Sequence, residues 1–390
     1  MRIIVFTGKG GVGKTSVAAA TALGISRQGG RTLVMSTDPA HSLADAYESE
    51  IGSELTEIAP RLYGQQIDAQ QRLEQHWHDI QEFMTQFLSW AGADPVAAEE
   101  IMALPGIEEV FSLTDLRRHA DEGDFDCIVV DCAPTAETLR LLSLPEIARW
   151  YIERVFPIER RVVRMVRPVL ERVTSMPMAT DRVYKAVERL YTNLDEVGRI
   201  LTDAEQSSIR IVVNPEKMVI AEARRLFTYL ALFGYRVDAV IANRLLPETV
   251  EDPYFAKWKK IQAAHLDTIR ESFEPVPVFT SRLYEEEMVG PELLSELCHE
   301  VYGELDPRAI LHADEPMRVD RDEDGSMILN LRLPYAEDRF ELARKDDELI
   351  VTVGSHRRSI LLPQSLRRRQ VVDAAFEGPV LQIVFGEDGG

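Results

Sequence analysis

An apolar run, RIIVF, gives way at residue 8 to GKGGVGKT and then at once to the alanine-rich stretch SVAAATAL. So short a passage reads as strand, tight loop and helix. The G-x-x-x-x-G-K-[ST] spacing gives the loop a chemical purpose. Glycine lets successive backbone N–H groups turn inward around phosphate oxygens, and the helix N-terminus adds partial positive charge. A chain that begins this way is expected to build a sheet whose strands feed helices. The runs IIVFTG, TLVMSTD, CIVVDC, IRIVVN, DAVIAN and PVPVF recur between long helical patterns. That rhythm is an α/β fold of the P-loop NTPase kind, a parallel sheet wrapped by helices.

At 390 residues the chain exceeds one ordinary core. Over about residues 69–122, and again 145–205, the spacing is helical without a strand signal, so these stretches read as helical insertions. LDPRAILHADEP, residues 305–316, breaks the pattern, and SMILNLRLP, RFELARKDDELIVTV, RRSILLP and PVLQIVF then alternate in short strands. A β-sandwich of about 75 residues suits them. The expected domains are 1–305, with the phosphate loop, a linker over 306–316, and an all-β sandwich over 317–390.

The loop carries two lysines. Gly8, Gly10, Gly11, Val12, Gly13 and Ser16 would form the cradle around ATP, Lys14 would reach the β- and γ-phosphates, and the Thr15 hydroxyl would ligate Mg²⁺. Lys9 looks surplus. From the second loop position it is expected to leave its own nucleotide and cross a two-fold axis to the ATP of a second copy. A cation supplied in trans is worth about 10³ to 10⁵ in rate, by analogy with arginine fingers. A solvated surface lysine is the plainer alternative. Asp38, in STDPAHSLADA, is read as orienting the attacking water beside the metal, or else as an N-cap for the next helix. Asp131, in FDCIVVDCAPTAET, is read as an outer-shell Mg²⁺ carboxylate, or else as a turn aspartate.

Composition excludes some partners. A net charge of −21 argues against nucleic-acid binding, which needs a basic face. No stretch approaches the roughly 20 apolar residues of a membrane span. The first strand begins at Arg2 with no leader before it, so a cytoplasmic protein is expected. Cys127, Cys132 and Cys298 form no CxxC pair, which suits a reducing compartment.

Taken in order, GKGGVGKT, DPAHS and DCAPTAETLRLLSLPE resemble the arsenite-pump and tail-anchored-protein-targeting ATPase family, as do VVNPEKMVIAEARRL and IANRLLP. The resemblance covers about residues 1–305 and implies an ATP-driven homodimer. It further implies that Asn243 hydrogen-bonds the adenine with Asn214 nearby, and that the loop around Pro277 and Phe279 packs against the base. A strand-end asparagine that only closes a turn is the alternative. DDELIVTVGSHRRSILLPQSL and VVDAAFEGPVLQIVF resemble an α-crystallin, or small heat-shock protein, domain. The combination resembles the d-type branch of the family.

The chain departs from the family's targeting members, which carry a zinc-binding CxxC after the adenine asparagine. EDPYFAKWKK, residues 251–260, has no cysteine, so no zinc is expected. Arsenite pumping is disfavoured, since it calls for thiolate ligands and commonly a tandem duplication. Leu73, Trp77, Ile80, Met84, Phe87 and Leu88, and a second stripe from Ile147, recur at helical spacing. They read as core or as a groove for hydrophobic client helices. Arg149 to Arg172 form a basic run that would meet a membrane surface or stay ion-paired. The function expected is a Mg²⁺-dependent ATPase whose cycle opens and closes that groove to chaperone or target membrane-segment clients. Its rivals are a metalloid-pump ATPase subunit and an ATP-regulated holdase acting through the β-sandwich.

Overall fold

The computed structural model describes residues 1–38, 42–66, 107–132, 181–322, 326–333, 340–345, 347–353, 356–362 and 364–386, over which the elements are numbered. The apolar stripes from Leu73 and Ile147 and the arginine run lie outside them. Of the two helical stretches, α3 (Ile107–Glu122) and α4 (Asp181–Thr202) are described, and they pack on each other.

An eight-stranded sheet forms the centre, in the order β3-β4-β2-β5-β1-β6-β7-β8. Its inner strands are β2 (Thr32–Ser36), β5 (Cys127–Asp131), β1 (Arg2–Thr7), β6 (Ser207–Val213) and β7 (Val237–Leu245). All pair in parallel. Their near-continuous Val/Ile runs follow from burial on both faces, the consequence of helices covering each side. β8 (Val278–Arg282) closes one edge in parallel. The other edge is an antiparallel pair, β3 (Thr56–Ala59) and β4 (Leu62–Gln66), with β4 parallel to β2. This pair has no counterpart among the expected strands.

Helix α1 (Lys14–Arg27) leaves the phosphate loop and lies against α7 (Pro291–Tyr302) so closely that a Cβ on Gly24 would collide with the Cys298 sulfur. Helices α5 (Lys217–Leu232) and α6 (Pro253–Phe273) follow β6 and β7. A buried charged network lies at the amino ends of the strands. Asp238 pairs with Arg2 at 3.0 Å and Arg210 at 3.2 Å, and Arg210 reaches the Tyr302 hydroxyl at 2.9 Å. The segment after α7 is tied to it: Arg2 donates to the Arg308 carbonyl, Arg210 to the Ala309 carbonyl, and the Leu311 N–H to Asp238.

Beyond it, β14 (Gln370–Glu377), β15 (Val380–Gly386), β10 (Met327–Arg332) and β9 (Met317–Arg321) form one antiparallel sheet in that order. A second contains β11 (Phe340–Lys345), β12 (Glu348–Val353) and β13 (His356–Leu361). Leu329, Leu331, Leu349, Val351, Leu381, Ile383 and Phe385 are buried at every second position, the pattern of sheets with one inward face. Arg358 donates to the Leu232 carbonyl at the end of α5, and Arg332 to the Glu274 carbonyl at 2.8 Å past α6.

Candidate nucleotide site

Strand β1 lies between β5 and β6; the chain passes from β1 to β2 on one side of it and from β5 to β6 on the other, so the strand order reverses beside β1. In open α/β sheets the crevice at the carboxyl ends of such strands is the binding position. Loop 8–13 sits there. Gly8, Gly11 and Gly13 have φ of 149°, 80° and 92°. Space is as decisive as conformation: a Cβ on Gly8 would drive into the Val212 carbonyl, and one on Gly13 into the Asn243 amide. Exposed Gly10 and buried Val12 lie between, and Gly13 caps α1.

The two lysines of the loop diverge. Lys14 is 7% exposed and folds back, its Nζ donating to the Lys9 carbonyl at 3.3 Å. The Lys9 side chain is 36% exposed and turns outward to Glu222 on α5, with Nζ 3.6 Å from Oε2.

Asp131 ends β5 in register with Phe6 of β1 and Ser36 of β2, so the strands carry it directly beneath the loop. The Thr15 hydroxyl donates to its Oδ2 at 2.8 Å, while the buried Oδ1 has no hydrogen-bond partner. Burial pushes the carboxyl up to about 7, against the hydrogen bond from Thr15 and the charge of Lys14, while Asp38 pushes it further up. A buried carboxylate with one orphaned oxygen beside a threonine hydroxyl and a lysine suits a hydrated divalent cation. Asp38 follows β2. Its N–H donates to the Ser36 hydroxyl at 3.2 Å, and its carbonyl accepts from Gln66 of β4 at 3.0 Å. The next described helix is α2 (Ser42–Tyr47).

A cavity of about 530 Å³ opens beside the loop, bordered by Gly13, Thr15 and Ser16, by Asn243 and Arg244, and by residues 282–289. Asn243 donates to the Val12 carbonyl at 2.8 Å and accepts from the Arg244 N–H and the Ser281 hydroxyl. The Asn214 amide, turned with its nitrogen inward, reaches the carbonyls of Val12 and Asn243 at 3.2 and 3.3 Å. It braces the loop from beneath and does not border the cavity. Pro277 and Phe279 do not border it either. Pro277 precedes β8, and Phe279 pairs with Ile241 inside the sheet and packs on Tyr302. Because β8 runs parallel to β7, its carboxyl end is the part that meets the cavity. Arg282, stacked 4.5 Å from the Tyr284 ring, borders it there.

The profile of the family described as anion-transporting ATPase matches residues 1–303, which hold the loop and every side chain of the cavity. The chain belongs to this ArsA family. The profile described as an HSP20-like domain found in ArsA matches residues 324–385 of the ATPase, which hold the strands of its two antiparallel sheets from β10 onward but not β9. A protein of Chlorobaculum tepidum named "Putative arsenical pump-driving ATPase" is 39% identical over 389 residues, 99% of this chain and 96% of its own. A like-named protein of Aquifex aeolicus is 37% identical over 388 residues, covering 97% and 98%. The "ATPase ASNA1 homolog 1" of Paramecium tetraurelia is 26% identical over 297 residues, covering 75% and 89%. The cysteines of the ATPase are buried. Burial pushes the Cys127 thiol up to about 12 and that of Cys298 up to about 11. Among the described residues no group of three or more His, Cys, Asp or Glu can hold a metal ion, and no helix is long and apolar enough to cross a membrane.

Proposed function

We propose that the ATPase is a cytoplasmic, Mg²⁺-dependent homodimer in which Lys9 of each protomer completes the nucleotide site of the other. The observation that carries this reading is the divergence of the loop lysines, one folded onto its own loop and one turned out to Glu222. A half-exposed ion pair such as Lys9–Glu222 is worth about 0–1 kcal/mol, so Lys9 can leave Glu222 cheaply for a partner's triphosphate. Domain bounds of 1–305, 306–316 and 317–390 go with this reading.

Within a protomer the amides of residues 8–16 hold the phosphates and Lys14 reaches the β- and γ-oxygens. Thr15, which gives its proton to Asp131, keeps its oxygen lone pairs for the metal, and Asp131 holds that shell from outside. When bound, Mg²⁺ supplies charge neutralisation at the phosphate oxygens. Asp38 orients the attacking water, and Asn243 meets the base. The nucleotide cycle opens and closes a hydrophobic groove for clients that carry a membrane segment.

Mixing two inactive variants tests the core of this proposal. K9A protomers keep Lys14, and K14A protomers keep Lys9, so a mixed dimer contains one complete composite site. Recovery of turnover on mixing supports the exchange of Lys9. Mixed dimers that stay inactive overturn it.

A second reading, an ATPase that drives an arsenical pump, is favoured by the names of the Chlorobaculum and Aquifex relatives. The buried thiols of Cys127 and Cys298, both pushed up by burial, weigh against it, because thiolate is the soft ligand. Stimulation of turnover by arsenite or antimonite would favour this reading over the first.

A further inference from the structure

Strand β7 departs from regular pairing where it meets the cavity. Ala242 pairs with Thr280 and Leu245 with Arg282, so Asn243 and Arg244 together face the single residue Ser281. An extra residue of this kind is a β-bulge, which re-aims side chains and is common beside active sites. Arg244 also has φ 62°, a left-handed conformation that non-glycine residues adopt rarely and mostly where function requires it.

The consequence is a change of direction. In a regular strand successive side chains point to opposite faces. Here both reach the phosphate loop: Asn243 donates to the Val12 carbonyl at 2.8 Å, and Arg244 to the Gly11 carbonyl, also at 2.8 Å. Asn243 is itself pinned at Oδ1 by the Arg244 N–H at 2.9 Å and the Ser281 hydroxyl at 2.6 Å. In a planar trans peptide the carbonyl and the N–H point in opposite directions. Tying back the Gly11 and Val12 carbonyls therefore aims the N–H groups of Val12 and Gly13 the other way. Converging N–H groups make an anion-binding nest.

We propose that Asn243 and Arg244 form a clasp, built by the bulge, that holds the phosphate loop in its anion-binding conformation. Arg244 is a positioning residue for nucleotide binding, acting through the Gly11 peptide. This rests on the reading of residues 8–16 as the nucleotide site.

The test titrates the full chain with fluorescent ATP and ADP in the presence of Mg²⁺. R244G keeps the left-handed backbone and removes the guanidinium, while R244K keeps one donor. Losing a charge-assisted hydrogen bond is expected to weaken binding about tenfold, equally for both nucleotides, because both occupy the same nest. R244K is expected to recover at least half of the loss, and amide exchange at Val12 and Gly13 to speed up in R244G. R244G at parental affinity overturns the proposal, as does a loss confined to ATP, which would make Arg244 a direct γ-phosphate contact. A parent protein that binds neither nucleotide, or binds no better than K14A, would instead refute the nucleotide site itself.

Discussion

The Thr15 hydroxyl donates to Asp131 Oδ2 at 2.8 Å, across the junction between a strand end and a helix start. Asp131 is completely buried, and its Oδ1 meets no donor. The two residues act as a unit, so T15A and D131N should each lower Mg²⁺-dependent turnover about 10–100-fold, as loss of a supporting partner does at metal sites. The double variant should fall little further, because contacting residues are not additive. Turnover measured against Mg²⁺ concentration in the single and double variants checks this.

Loop glycines should differ in tolerance. A Cβ on Gly8 meets backbone, the Val212 carbonyl, whereas one on Gly11 meets nothing within 4 Å. Gly11→Ala therefore faces only its φ of 80°, a penalty of about 1–2 kcal/mol. Gly8→Ala must push two strands apart. G11A is expected to fold and bind nucleotide with reduced affinity, and G8A to bind none; calorimetric titration separates them.

Asp238 is ion-paired with both Arg2 and Arg210 at a buried site. Burial lowers the pKa of Arg2, and Asp238 opposes that. Removing one partner of a buried pair strands the other, so D238A should lose about 3–5 kcal/mol in denaturant unfolding. Because Leu311 donates to the same carboxylate, exchange of its amide should also speed up.

His119 predicts a pH dependence. Its Nε2 lies 2.7 Å from the Gln65 Oε1, an acceptor, which assigns a proton to Nε2. Burial and then Arg118 push its pKa below 6.5, while Asp115 and Glu122 push the other way. Below pH 6.5 the unfolded chain takes up a proton that the folded chain refuses. Stability from this group is thus present above pH 6.5 and lost as pH falls, by at most about 1.4 kcal/mol per pH unit. Urea unfolding between pH 5.5 and 7.5 should show this slope in the parent protein and a shallower one in H119Q.

What could be read directly from the chain was whatever depends on neighbours in sequence. The Val/Ile runs of β1, β2, β5, β6 and β7 announce strands buried on both faces, and the alternation after residue 316 announces sheets with one inward face. Edge strands β3 and β4 escaped because Pro60 and Gly64 dilute the β signal, and their place comes from pairing with β2. That Pro277 and Phe279 lie off the border of the cavity could not be read locally for a similar reason. The loop was recognisable, but only the parallel register of β8 on β7 says which of its ends faces the cavity.

By itself, then, the sequence determined the α/β class, the all-β segment, the phosphate loop and the three side chains Lys14, Thr15 and Asp131 around it. A short covalent span sets where backbone donors converge. Tertiary structure decided which groups answer that loop. Glu222 takes Lys9, and Arg244 lies 233 residues from the Gly11 carbonyl it holds. Hydrogen bonds act over about 3 Å, so partners that distant in the chain are fixed by strand order, register and one bulge, none of which is written in local spacing.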